Sequence, residues 1–278
     1  MRTPPLLGVL TAALLAILLA APSTAAAAPP PTTDGDARPL IVGGRNATQS
    51  YPFMGSLQSR SWSGHMCGAS LIAPTWAVTA AHCLHEGTDK RRVLDPARWQ
   101  VRVNSLDSGQ GGEVLPAAQF ILHPEYVRTV RLIHDIALIR LARPAATPPI
   151  PIADAAGPVG TRTRIMGWGT TCPDPNRQGP NCFPETLQEL DTTILDPSRC
   201  EVLNRGSEIC TDSPGGNSGV CYGDSGGPQV RTVAGRWELI GVASHLGSSR
   251  TSTCGRYPSG YVDVPAHRDW IQQHTGRR

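Results

Sequence analysis

The chain is a succession of short apolar or alternating runs, each cut off by turn residues, and this narrows its possible folds more than any other feature. The runs fall at 67–72, 76–80, 100–103, 120–122 and 136–139, and the same character returns at 163–169, 228–230, 237–242 and 260–262. With 29 glycines and 26 prolines among 278 residues, few of these runs extend beyond a few positions. Such spacing builds antiparallel barrels or sandwiches and does not suit the strand–helix alternation of a parallel sheet. Residues 143–157, rich in Ala and Pro, read as a linker between two β units. One helical pattern stands out, at 265–275. Pro265 suits a first turn, and Ala266, Trp270, Ile271 and His274 share a face.

Arg2, an apolar stretch at 6–20 and small residues at 23–28 predict a secretory signal peptide over 1–28, followed by a short pro-segment at 29–40. The apolar core is short for a membrane span and is stopped by Pro22, so the expected product is secreted, with no membrane contact after signal cleavage. A net charge of +3 with scattered basic residues offers no groove for nucleic acid. Eight cysteines in an exported chain predict disulfides. There is no Cys-x-x-Cys, and His82-Cys83-Leu84-His85-Glu86 is not the His-Glu-x-x-His of zinc hydrolases, so no metal is expected.

Three motifs occur in a telling order: Thr79-Ala80-Ala81-His82-Cys83, then His134-Asp135-Ile136-Ala137-Leu138, then Gly223-Asp224-Ser225-Gly226-Gly227-Pro228. A serine hydroxyl needs a base within hydrogen-bond reach to attack at neutral pH, and histidine suits that task. A buried carboxylate on the other ring nitrogen fixes the tautomer and stabilises the imidazolium. Gly223-x-Ser225-x-Gly227 also fits the nucleophile elbow of lipases and esterases. That fold needs a helix after the serine and the order Ser, acid, His, whereas Gly226-Gly227-Pro228 starts helices poorly.

On these motifs residues 41–271 resemble the trypsin and chymotrypsin family of serine proteases. The resemblance implies an all-β fold of two packed six-stranded antiparallel barrels with a C-terminal helix. The peptidase domain would span 41–278, with barrels at about 41–145 and 155–265. It assigns His82 as general base, Asp135 as its orienting partner and Ser225 as nucleophile. The N–H groups of Gly223 and Ser225 would form the oxyanion hole. His65, His85, His123, His134, His267 and His274 are read as structural or solvated.

The resemblance carries further expectations. Ile41-Val42-Gly43-Gly44 matches a mature N-terminus, so cutting Leu40-Ile41 would free an ammonium to pair with Asp224 and order the site. Cys67 would pair with Cys83, Cys200 with Cys210 and Cys221 with Cys254, leaving Cys172 with Cys182. The specificity pocket would be lined by Gly219, Val220, Ser244, Leu246 and Ser259. Gly219 stands where trypsin-like members carry an Asp, so Arg and Lys are disfavoured and small to medium aliphatic residues favoured. Partners would be protein or peptide substrates and protein inhibitors, met as a monomer and without a cofactor. A protease-like binding protein and a secreted esterase are the alternative readings.

Overall fold

The computed structural model describes Met1 and residues 41–276, apart from 63, 88, 90–91, 129–131 and 178. Except for Met1, the predicted signal peptide and pro-segment, Leu40 included, lie outside the described residues.

A short strand, β1 (Arg45–Asn46), leads into β2 (Met54–Ser59), β3 (His65–Ala73), β4 (Trp76–Thr79), β5 (Trp99–Val103) and β6 (Glu113–Leu122). A two-stranded ribbon of β7 (Val127–Arg128) and β8 (Leu132–Ile133) precedes β9 (Ala137–Leu141). Strands β2-β3-β4-β9-β6-β5 close into an antiparallel barrel. Alternation explains the closure: Val101 and Val103 on β5 are fully buried, whereas the alternate residues Gln100 and Arg102 reach solvent.

The second half contributes β10 (Arg162–Gly167), β11 (Gln188–Thr193), β12 (Glu208–Thr211), β13 (Pro228–Val233), β14 (Arg236–Leu246) and β15 (Ser259–Asp263). Their order is β1-β11-β10-β13-β14-β15-β12. The sheet thus has seven strands rather than the expected six, because β1 adds to the edge of β11. An isolated antiparallel bridge between Ile194 and Thr211 joins the end of β11 to β12 and draws the ring together.

The predicted linker is ordered between the halves. The Ile150 N–H donates to the Leu71 carbonyl at 2.9 Å, and the Ala153 N–H to that of Leu239 at 3.0 Å. One apolar cluster joins Leu71, Val101 and Leu138 of the barrel to Val230 and Val262 of the second sheet and to Trp168, which follows β10. Burying such side chains contributes about 1.5–3 kcal/mol each, so the halves are held together by core packing. The helix α1 (Arg268–Thr275) follows a 3-10 turn at Pro265–His267. Its buried face is narrower than expected. Trp270 and Ile271 are buried, but Ala266 lies on the preceding turn and is exposed, as is His274 in the last turn. Four disulfides staple the loops: Cys67 to Cys83, Cys172 to Cys182, Cys200 to Cys210 and Cys221 to Cys254.

Candidate active site

His82 stands on a 3-10 turn, Ala81–Leu84, directly after β4. Ala81, Cys83 and Leu84 are buried and Cys83 is cross-linked to β3, so the turn is pinned from within while the ring of residue 82 stays 18% exposed. Asp135, fully buried just ahead of β9, faces it. Its Oδ1 accepts the His82 backbone N–H at 2.8 Å, and its Oδ2 accepts Nδ1–H at 2.7 Å. An ionised carboxylate only accepts, so Nδ1 carries the proton and Nε2 is left with its lone pair.

A third donor comes from the other half of the molecule. The Ser244 hydroxyl donates to Asp135 Oδ2 at 2.6 Å. The β14–β15 register shifts between Ala243 and His245, a bulge that re-aims Ser244 out of the regular alternation. Burial alone would push the Asp135 carboxyl up; the charge and hydrogen bonds of His82, with the Ser244 hydroxyl, hold it below its ordinary value.

Ser225 lies on the loop between Cys221 and β13. Its carbonyl accepts the Gly68 N–H of β3 at 2.7 Å, which ties the loop to the first barrel. Gly226 makes this approach feasible. It has φ +80°, and a Cβ there would lie 2.2 Å from Thr79 Oγ1 and 2.3 Å from the Gly68 carbonyl. The Gly223–Asp224 peptide is held by His65, whose Nε2–H donates to the Gly223 carbonyl at 2.9 Å while Nδ1 accepts the Ser56 hydroxyl at 2.7 Å. Burial pushes His65 down to about 4, so the ring is neutral and keeps that tautomer. Only the fold brings His65 to Gly223, and no local motif marks it.

Asp224 is buried, with Oδ1 accepting the Gly169 N–H at 2.8 Å and Oδ2 the Cys221 N–H at 2.9 Å. Burial pushes its carboxyl up to about 7. Ile41 is also fully buried, in an apolar cluster with Val220 and Tyr261, and has φ +30°.

Beside Ser225 opens a cavity of about 110 Å³, lined by Val220, Cys221, Tyr222, Ala243, Ser244, His245, Leu246 and Cys254. Of the expected pocket residues, Val220, Ser244 and Leu246 line it. Gly219 and Ser259 are buried next to one another, since a Cβ built on Gly219 would lie 3.7 Å from Ser259 Oγ. No lining residue bears a carboxylate. His245 also lines the wall, with its Nε2 3.2 Å from Glu208 Oε2. Burial pushes this ring down, but the hydrogen bond and charge of Glu208 outweigh it and the net direction is up.

A histidine–carboxylate pair from the first barrel thus meets a serine loop and a specificity-sized cavity from the second. Residues 41–271 match the family model described as Trypsin. The chain belongs to the trypsin family. Its relatives include testisin of Homo sapiens, 32% identical over 84% of this chain and 77% of that protein. Trypsin of Sarcophaga bullata is 33% identical over 84% of this chain and 88% of its own length. The fibrinolytic enzyme isozyme C of Lumbricus rubellus is 31% identical over 84% and 100%. As a trypsin-family member the protein is a serine endopeptidase that hydrolyses peptide bonds. Among the described residues, no helix is long and apolar enough to cross a membrane.

Proposed function

We propose that this trypsin-family chain is a secreted endopeptidase in which Ser225 attacks the scissile carbonyl, His82 takes its proton and Asp135 orients His82. The observation that carries this reading is the pair of bonds from His82 to Asp135, which leaves Nε2 as the basic nitrogen. As Ser225 Oγ bonds to the carbonyl carbon, its proton passes to Nε2 and the tetrahedral oxyanion is met by the Gly223 and Ser225 N–H groups. Collapse expels the amine, which takes the proton from His82, and water repeats the sequence on the acyl-enzyme. Fluorophosphonate labelling of processed protein tests the reading. Labelling should be lost in Ser225→Ala and His82→Ala, and its persistence in both would refute the assignment.

The chain is made with a signal peptide at 1–28 and a pro-segment at 29–40, and acts as a monomer on proteins and peptides, open to protein inhibitors. Cleavage of Leu40-Ile41 switches it on. Two observations support this: a buried Asp224 carboxylate that accepts the Gly169 and Cys221 N–H groups, and a β-branched Ile41 in the left-handed region, a strained junction. An ammonium freed at Ile41 would supply the countercharge. For substrate choice, Val220 and Leu246 and the lack of a lining carboxylate favour small to medium aliphatic residues at the scissile position. A peptide-library digest dominated by cleavage after Arg, Lys, Phe or Tyr would overturn that preference.

A further inference from the structure

Three histidines that the peptidase chemistry does not use come together behind the Asp135 loop. His123 directly follows β6, His134 lies between β8 and Asp135, and His267 closes the turn before α1. His123 and His134 stack with ring centroids 4.8 Å apart, and His267 meets them edge-on at 5.3 and 5.2 Å. One ligating atom from each lies within 4.8 Å of the other two. Three imidazoles converging from three separate segments form the donor set that zinc and its borderline neighbours prefer.

The surroundings of the rings point the same way. His267 Nδ1–H donates to the Asp263 carbonyl at 2.7 Å, which fixes the tautomer and turns the Nε2 lone pair toward the cluster. That nitrogen is 2.9 Å from His134 Nδ1. The far nitrogen of His134, Nε2, faces Glu125 Oε2 at 3.7 Å. Metal-ligating histidines almost always present their other nitrogen to a carbonyl or a carboxylate, and here one ring has each. Two nitrogens bound to a tetrahedral ion at ~2.0–2.1 Å lie about 3.3 Å apart, so the His134–His267 pair need open by only about 0.4 Å. The ring of His123 makes one long hydrogen bond, accepting the Glu125 N–H on Nδ1 at 3.3 Å.

His134 is itself held in the left-handed region at φ +49°, with its carbonyl accepting the Ile136 N–H at 2.8 Å across Asp135. Non-glycine residues rarely adopt this conformation, and it aims the ring at the cluster rather than along the strand. We infer that His123, His134 and His267 form a binding site for a zinc-like divalent transition cation, and that occupation restrains the Asp135 loop and lowers peptidase activity. The fourth position would be water, because the cluster is only partly covered. The ion would clamp the C-terminal turn to the residue preceding Asp135. Through that one peptide link it would shift the carboxylate against His82, where both bonds are 2.8 Å or shorter.

The binding limb stands without the peptidase reading, whereas the coupling limb rests on it, so the test separates them. Processed protein is titrated with ZnCl₂ by calorimetry and, in parallel, assayed on a peptide substrate with and without a chelator. The variants are His123→Gln and His134→Asn, the latter because Asn tolerates the left-handed conformation. The expected result is one saturable site per chain, with affinity reduced at least ~10-fold in each variant, and inhibition that follows the same saturation curve and is reversed by the chelator. Tight binding unchanged in both variants, or none below millimolar zinc, would overturn the site. Inhibition that persists undiminished in His123→Gln would mean that zinc acts at His82, and saturation without any loss of activity would overturn the coupling. Because His123 lies on the barrel rim away from the reacting atoms, its variant also reports whether folding is intact through its zinc-free activity.

Discussion

The buried Asp224 carboxylate allows the activation scheme to be tested without measuring catalysis. In the uncut chain its carboxyl lies at about 7 rather than at its ordinary 3.8, because burial disfavours the charged form more than two N–H bonds favour it. At 1.36 kcal/mol per pKa unit the difference amounts to about 4 kcal/mol. The sign follows from proton uptake. Between pH 4 and 7 the folded chain binds this proton and the unfolded chain does not, so stability falls as pH rises. The full contribution is present below about pH 4, and about 4 kcal/mol of it is gone by pH 8. Processing at Ile41 would bring an ammonium to the carboxylate and remove that slope. Urea unfolding between pH 4.5 and 8 of uncut and processed protein, both carrying Ser225→Ala to prevent digestion, measures the effect. Asp224→Asn should flatten the pH dependence of the uncut form. In the processed form it should instead cost about 3–5 kcal/mol, by leaving a buried ammonium unpaired. If Asp224→Asn changes the two forms alike, the pairing scheme is wrong.

Other outcomes follow from the same geometry. Asp135→Asn should lower kcat about 10⁴-fold with little change in KM, because the amide imposes the wrong tautomer on His82; steady-state kinetics checks this. Ser244→Ala removes a donor from a buried carboxylate and should cost about 1.5–3 kcal/mol while raising the Asp135 pKa, seen as an upward move of the acid limb of the pH–rate profile. Glu208→Gln should lower the His245 pKa, read by NMR titration of the ring. The stabilisation this pair gives is present below the ordinary histidine value and fades as pH rises through the higher folded one. Gly219→Asp should gain cleavage after Arg and Lys, since a Cβ there meets nothing closer than 3.7 Å, but at about 1–3 kcal/mol of stability because φ is +149°.

How much of this the sequence disclosed depends on whether a constraint is local. The Ser225 loop announces itself because backbone is packed against backbone at Gly68 and Gly226, and only glycine satisfies that, so the requirement is written in adjacent letters. The antiparallel barrel was legible from run length and alternation. The seventh strand was not, since two residues at 45–46 carry no period and pair only because β11 offers an edge. Ala266 was placed on a helical face by spacing, but the 3-10 turn before Arg268 rotates it to solvent. Ser244, His245 and His65 act through a bulge and through contacts reaching 109, 37 and 158 residues along the chain, which no local pattern encodes. The same holds for His123, His134 and His267, each unremarkable until the topology stacks them.

The hydrogen bond from Ser244 to Asp135 crosses between two halves that the ribosome makes in sequence. His82 and Asp135 emerge well before the Ser225 loop and β14, so a nascent or truncated chain holds an orienting pair with nothing to activate. Competence arrives only when the second sheet closes against the first barrel. Heat that loosens the seam between the halves should therefore abolish turnover.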